Sequence, residues 1–205
     1  MGKVVTSVPA KLGLLVVVPA LLAGCALNEA PASPPPAADQ GADSGPDLPS
    51  RPRDLPVAGM KEGAVCGVLT PQQLGALEVG RGVPQARSGT FDAPGCTWLS
   101  GREATGLGLT IAIAPLSIDE AQNRKSDGSP ETAATYAVGQ GFGAVQGQVP
   151  GAENLGCFVD VDAAEGRTLE VGITSIGGDD VSNQAMCAKA KQAAEFAVTN
   201  LQAQG

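Results

Sequence analysis

Five cysteines carry most of the chemistry open to this chain: Cys25, Cys66, Cys96, Cys157 and Cys187. No two are close enough in sequence for a Cys-x-x-Cys redox pair or a thiolate zinc motif. The chain has no histidine, which removes Ser-His-Asp and Cys-His catalysis and the commonest zinc ligand. No Ser-x-x-Lys pattern occurs either. Gly139-Gln140-Gly141-Phe142-Gly143-Ala144 nominally fits a dinucleotide loop, but no helix signal follows it, and it reads as a loose glycine-rich strand. The remaining candidates are carboxylates. Asp160 and Asp162 alternate onto one face of a strand, with Glu165 in the adjacent turn. Such a set could hold calcium or act as a glycosidase pair, against the simpler reading of a solvated sheet face, which is the one expected. Asp179-Asp180 reads as a helix cap favoured by the helix dipole. Trp98, the one tryptophan, is expected in the core beside Cys96. No catalytic residue, metal site or cofactor is predicted, and no ligand-binding residue can be named.

Cys25 stands apart from the other four because of what precedes it. Lys3 and Lys11 flank a short positive start, Leu12 to Leu22 form an apolar run, and the small residues Ala23 and Gly24 follow. This is the three-part plan of an export signal. The run is too short to span a hydrocarbon core of about 30 Å, which needs about 20 residues. Leu22-Ala23-Gly24-Cys25 fits a lipobox, in which small residues give enzymes access to the thiol. The expected chemistry is a thioether from Cys25 to diacylglycerol, cleavage between Gly24 and Cys25, and a membrane anchor of two chains at about 0.8 kcal/mol per buried methylene. Residues 1–24 would then be a signal peptide, and the rest would sit on the outer face of the cytoplasmic membrane. Met1-Gly2 also opens a loose N-myristoylation pattern, but the hydrophobic run and lipobox follow at once, so that match is read as chance.

Assigning Cys25 to lipid leaves an even set, as an oxidising compartment favours. Three pairings are open to Cys66, Cys96, Cys157 and Cys187. Cys66 with Cys96, and Cys157 with Cys187, closes two separate loops of equal separation. On the chain-entropy model each would stabilise the fold by roughly 3–4 kcal/mol.

Charge and composition narrow the partners. The 13 basic residues include Lys3 and Lys11, so the chain from Cys25 onward carries 11 against 21 acidic ones, a net charge of −10. Such a surface repels nucleic acid and anionic headgroups. Aromatics make up only 3% of the chain, so the core must be built from Leu, Ile, Val and Ala. Residues 25–56 read as a lipidated cysteine followed by a disordered tether, since Ala26 to Pro56 hold eight prolines and almost no large apolar side chains. Its reach is about 30 Å as a coil and about 95 Å fully extended. Residues 57–205 form the expected folded domain.

Within that domain Thr70, Pro71 and Gln73 signal a helix start, with Leu74 and Leu77 inward and Gly80 and Gly82 ending it. A glycine-rich loop leads to a short strand at Cys96-Thr97-Trp98-Leu99. Leu107, Leu109, Ile111 and Ile113 alternate as in a half-buried strand, and Ser117 with Glu120 opens a short helix over 118–124. Residues 136–148 are weakly patterned, with one bulged strand expected. Residues 156–162 and 168–176 form a hairpin across Ala164-Glu165-Gly166-Arg167. Residues 181–202 form a helix capped by Asp180, with Met186, Ala190, Ala193, Ala197 and Leu201 on one stripe. Cys187 beside that stripe is placed to staple the helix to the strand of Cys157. The predicted class is α+β: an antiparallel sheet of about four to six strands, with an N-terminal helix and a long C-terminal helix packed on one face, stapled by two disulfides.

Cys66 followed by Leu69-Thr70-Pro71-Gln72-Gln73-Leu74, then Cys96-Thr97-Trp98, then Cys157-Phe158-Val159-Asp160-Val161, then Cys187 in an Ala-rich terminal helix, resembles the actinobacterial lipoprotein family filed as domain of unknown function 3558. The resemblance runs from about Cys66 to Leu201 and extends to the lipobox and tether. It implies a cell-envelope lipoprotein with two disulfides, and it supplies no catalytic residues. The expected function is a monomeric, non-enzymatic module that binds an envelope protein or other envelope component. The alternative is a carrier holding a lipid or other apolar molecule between sheet and helix. A hydrolase using Asp160 and Asp162 ranks third.

Overall fold

The computed structural model describes residues 47–100, 106–126, 131–148, 154–176 and 181–205. The strands are β1 (Val83–Ser88), β2 (Ala93–Leu99), β3 (Gly106–Ala114), β4 (Glu131–Val138), β5 (Phe142–Gln148), β6 (Gly156–Ala164) and β7 (Arg167–Ile176). The helices are α1 (Glu62–Val65), α2 (Pro71–Ala76), α3 (Ile118–Ser126) and α4 (Asn183–Gln202). The seven strands make one antiparallel sheet in the order β1-β2-β3-β7-β6-β5-β4.

Alternation along the central strands sorts side chains onto two faces. Leu109, Ile111 and Ile113 of β3 stand opposite Ile173, Val171 and Leu169 of β7, which stand opposite Cys157, Val159 and Val161 of β6. These rows form the first face. α4 lies on it with Met186, Ala190, Ala193, Ala197 and Leu201 completely buried. The alanines let the helix backbone approach the sheet closely, which suits a core with few aromatics. Two disulfides fasten this layer: Cys66 to Cys96 with Cα atoms 5.1 Å apart, and Cys157 to Cys187 with Cα atoms 5.0 Å apart, each closing a sequence separation of 30.

The helix signals act as read, with shifted ends. At α2 the Gln73 N–H donates to Thr70 Oγ1 at 3.3 Å and the Thr70 N–H donates to Gln73 Oε1 at 2.8 Å, a reciprocal capping box. The helix stops before Gly80, because Glu78 already takes a left-handed φ of 60°. Ser117 and Glu120 form the second box, and the hydrogen bonds from the Ser117 backbone and hydroxyl hold the Glu120 carboxyl below its ordinary range. α4 is capped by Ser182, whose hydroxyl accepts from the Ala185 N–H at 3.3 Å. Asp179 and Asp180 lie outside the described residues, and the helix begins at Asn183, so the cap assigned to Asp180 moves to Ser182.

Three elements differ from the sequence reading. β1 occupies what reads as glycine-rich loop, and the single strand expected over 136–148 is the hairpin of β4 and β5, turning at Gly139 and Gly141 with φ of 54° and 101°. Both extra strands are sheet edges. β1 is exposed along most of its length, so no apolar alternation announces it, and the edge tolerates Pro84. The sheet therefore has seven strands rather than four to six.

The third difference lies before residue 57. Leu55 is 2% exposed and donates its N–H to the Ala163 carbonyl at 2.8 Å, while Val57 joins the same core. Leu48 lies 2.9 Å from where a Cβ on Gly143 would stand. Packed chain thus reaches well into the segment whose proline content suggests a tether. Two leucines spaced among prolines are diluted in any compositional window, yet Leu55 is buried and Leu48 partly so. Leu55→Ala should lower unfolding free energy by about 2–5 kcal/mol, read from urea denaturation, as for other buried leucines. A change within about 0.5 kcal/mol would mean that this segment is tether after all.

Candidate functional site

The second face of the sheet is built from the alternate residues: Thr110 and Ala112 on β3, Glu170, Gly172 and Thr174 on β7, and Phe158, Asp160 and Asp162 on β6. Three segments cover parts of it. α3 lies over Asp160, where Gln122 Nε2 donates to Asp160 Oδ2 at 2.8 Å, and Thr168 Oγ1 donates to the Leu116 carbonyl at 2.9 Å, fixing the helix entry. The β1–β2 turn lies over Glu170. The Thr90 N–H donates to Glu170 Oε1 at 2.9 Å and to Oε2 at 3.0 Å, and Thr90 Oγ1 donates to Oε1 at 2.5 Å. The leading segment covers Asp162, where Arg51 Nη1 donates to Asp162 Oδ1 at 2.5 Å and Arg51 Nε donates to Asp54 Oδ1 at 2.8 Å.

Beside the β1–β2 turn, with Gly89 and Thr90 in its lining, lies a cavity of about 320 Å³. Gly172 forms its floor, with Thr110 and Phe158 as its cross-strand neighbours and Glu170 and Thr174 along the same strand. A Cβ built on Gly172 meets no heavy atom within 4 Å, so the floor is open because this residue has no side chain. Leu155 stands at the rim and is 56% exposed. Farther along the face, Leu99 and Ile176 are 52% and 40% exposed, and both come within 4 Å of a Cβ position on Gly108. Thr174, which lines the cavity, is a third neighbour of that Gly108 position, so Leu99 and Ile176 lie farther along the same face.

The carboxylates singled out from sequence do not converge. Asp160 is fully buried rather than solvated, and it stands directly opposite Glu170, which is 4% exposed. Asp162 is engaged by Arg51. Burial pushes the Asp162 carboxyl above its usual range, and the attraction of Arg51 offsets that only in part because Asp119 and Asp54 repel in the same direction as burial. Glu165 sits in the exposed β6–β7 turn. Among the described residues no three Asp, Glu, His or Cys side chains come together as metal ligands. Trp98 is in the core beside the Cys66–Cys96 bridge, with its indole N–H buried and without an acceptor among the described residues. Gly24 and Cys25 lie outside the described residues.

Glu170, Thr90 and Gly172 were not singled out as site residues. Thr168, Glu170, Gly172 and Thr174 alternating with Leu169, Val171 and Ile173 is the signal for Glu170 and Gly172, and it marks a polar face without saying that the face is partly closed; no local pattern marks Thr90.

Among the described residues no helix is long and apolar enough to cross a membrane. No curated protein and no solved structure matches the chain. The family model described as "Protein of unknown function (DUF3558)" matches residues 20–200. That stretch is most of the 205-residue chain, and it includes all four bridged cysteines, every strand and all but the last two residues of α4, so the chain belongs to this family.

Proposed function

We propose that this protein is a lipid-anchored, non-enzymatic binding module, displayed through Cys25 on the outer face of the cytoplasmic membrane and recognising an envelope partner with the second face of its sheet. The observation that supports the recognition surface is the open cavity over Gly172, with exposed Leu155 at its rim and exposed Leu99 and Ile176 farther along the same face. A cavity with apolar side chains exposed on the same face is the kind of surface that takes a ligand or partner. The two carboxylates nearest the cavity, Glu170 and Asp160, are tied to Thr90 and Gln122, and no histidine is available as a general base. The anchor is supported by the lipobox, by the odd cysteine count, and by two disulfides of the kind that persist outside the reducing cytoplasm.

A carrier of a small apolar ligand is the second reading, favoured by the same cavity. Its ligand would sit on the second face, since the space between sheet and α4 is filled by Met186, Leu201, Val159 and Val171, all fully buried.

A photo-crosslinking residue in place of Ile176, introduced in the native organism, should give a discrete and reproducible adduct. The same group in place of Gln192, on the outer side of α4, should give none. Adducts of equal yield from both positions, or none from Ile176, would contradict the assignment of this face.

A further inference from the structure

We propose that the partner docks an amphipathic α-helix on the second face, running along β3 and β7, and seats one large apolar side chain of that helix in the cavity over Gly172. The inference rests on the reading of the second face as a recognition surface and adds the kind of segment it recognises.

Strand register places the contact. Among the described residues the exposed large apolar side chains are Val83, Leu99, Leu155 and Ile176. Val83 stands opposite Thr97, and Thr97 opposite Thr110, which puts Val83 on the second face. Leu99 stands opposite Gly108 and Ile176 opposite Gly106, on the same face, and Leu155 lines the cavity. Leu99 and Ile176 both reach over the Gly108 position, so this part of the face is an apolar bed. The cavity lies beyond it along β7, and the turn at Gly89 and Thr90 closes that end over Ala112 and Glu170. Apart from Glu170 at the closed end, none of these positions has an ionisable side chain, so an apolar stripe covers them without stripping water from ions.

Dimensions and backbone chemistry select a helix. Three strand spacings of about 4.8 Å separate β2 from β6, about 14 Å in all, against about 10–12 Å for a helix with its side chains. Along β7 the row of Gly172 lies about 14 Å from that of Ile176, a length that about nine helical residues span. β3 and β7 are interior strands whose N–H and C=O groups pair with their neighbours. An extended segment laid over them would bring unpaired backbone groups onto an apolar surface. A helix satisfies its own backbone, as α4 does over β6 and β7 on the first face.

Area argues against a second copy of this chain as the occupant. A face of about 14 by 14 Å is on the order of 200 Å², against about 800 Å² a side in a stable complex. So small a contact depends on one deep anchor. At roughly 30 Å³ per small group, the cavity of about 320 Å³ takes about ten non-hydrogen atoms, the size of an aromatic side chain. Its floor is open because a Cβ on Gly172 would meet no heavy atom within 4 Å, and Phe158 and Leu155 in its lining suit an apolar group.

The test places a photo-crosslinking residue in turn at Leu99, Leu155 and Ile176 of the full chain in its native organism and maps each adduct by mass spectrometry. All three should land on one segment of one partner protein, at positions about three or four residues apart. That segment, made as a synthetic peptide, should bind the purified chain carrying Cys25→Ala with both bridges formed. Replacing its largest apolar residue by alanine should weaken binding at least about tenfold. G172V should weaken the unaltered peptide at least about tenfold with an unfolding midpoint equal to or above that of the parent, which separates blocking from misfolding. Adducts at alternate residues of an extended segment, adducts on lipid or on another copy of this chain, or peptide binding that survives G172V would overturn the helix while leaving the second face as the recognition surface. No adduct from any of the three positions would overturn both.

Discussion

Cys25→Ala is expected to empty the membrane fraction of this protein, or to leave it as uncleaved precursor. The apolar run Leu12 to Leu22 is too short to hold the chain across a bilayer, and no described helix offers a second span. The thioether lipid would then be the anchor that counts. Two acyl chains burying at least about ten methylenes each, at about 0.8 kcal/mol per methylene, contribute on the order of 16 kcal/mol. Loss of that term is all-or-none on the scale of a fractionation experiment. Ultracentrifugation of lysed cells with immunodetection measures it, and an unchanged membrane fraction would contradict the anchor.

The second large effect concerns the two bridges. Each closes a loop with a sequence separation of 30, for which chain entropy gives about 3.6 kcal/mol. Small domains have only about 5–15 kcal/mol in total. The paired variant C157S/C187S should therefore lose about 3–4 kcal/mol, and the same should hold for C66S/C96S. Removing both bridges should leave little folded protein at 37 °C. The Cys157–Cys187 bridge has an added role, because it fixes α4 to β6 and α4 covers the first face of the sheet. Urea titrations of the paired variants measure the loss. Losses below about 1 kcal/mol for both pairs would show that burial alone holds the layers together.

What was legible in the sequence follows from where each signal resides. β3, β6 and β7 carry a local signal, since their first-face residues alternate with Gly, Thr and charged side chains. α2 and α3 announce themselves by capping boxes contained within four residues. β1 and β4 do not, because an edge strand is specified mainly by its neighbour's backbone and needs no apolar rhythm of its own. The start of α4 is misplaced for a related reason: Asp180 and Ser182 are both good caps, and only the chain direction after residue 181 decides between them.

The site was harder to read than the fold because its contacts are distant in sequence. Asp160 and Asp162 stand out as alternating carboxylates, but their partners are Gln122, 38 residues away, and Arg51, 111 residues away. Thr90 is 80 residues from Glu170. Burial turned an apparently solvated pair into two separately engaged groups, one under α3 and one under the leading segment. Gly172 illustrates the other limit. In sequence a strand glycine is only a weak strand residue, and its meaning as an open floor appears once Thr110 and Phe158 flank it and nothing lies above it.

One cysteine is expected to carry lipid and the other four to close two bridges outside the cytoplasm. Mass spectrometry of the native protein, isolated from membranes without reduction, tests it most directly. The expected result is an N-terminal peptide beginning at Cys25 with a diacylglyceryl thioether, together with linked peptides joining Cys66 to Cys96 and Cys157 to Cys187. A free thiol at Cys25 on a chain that still carries residues 1–24, or peptides crossing between the two bridges, would contradict it.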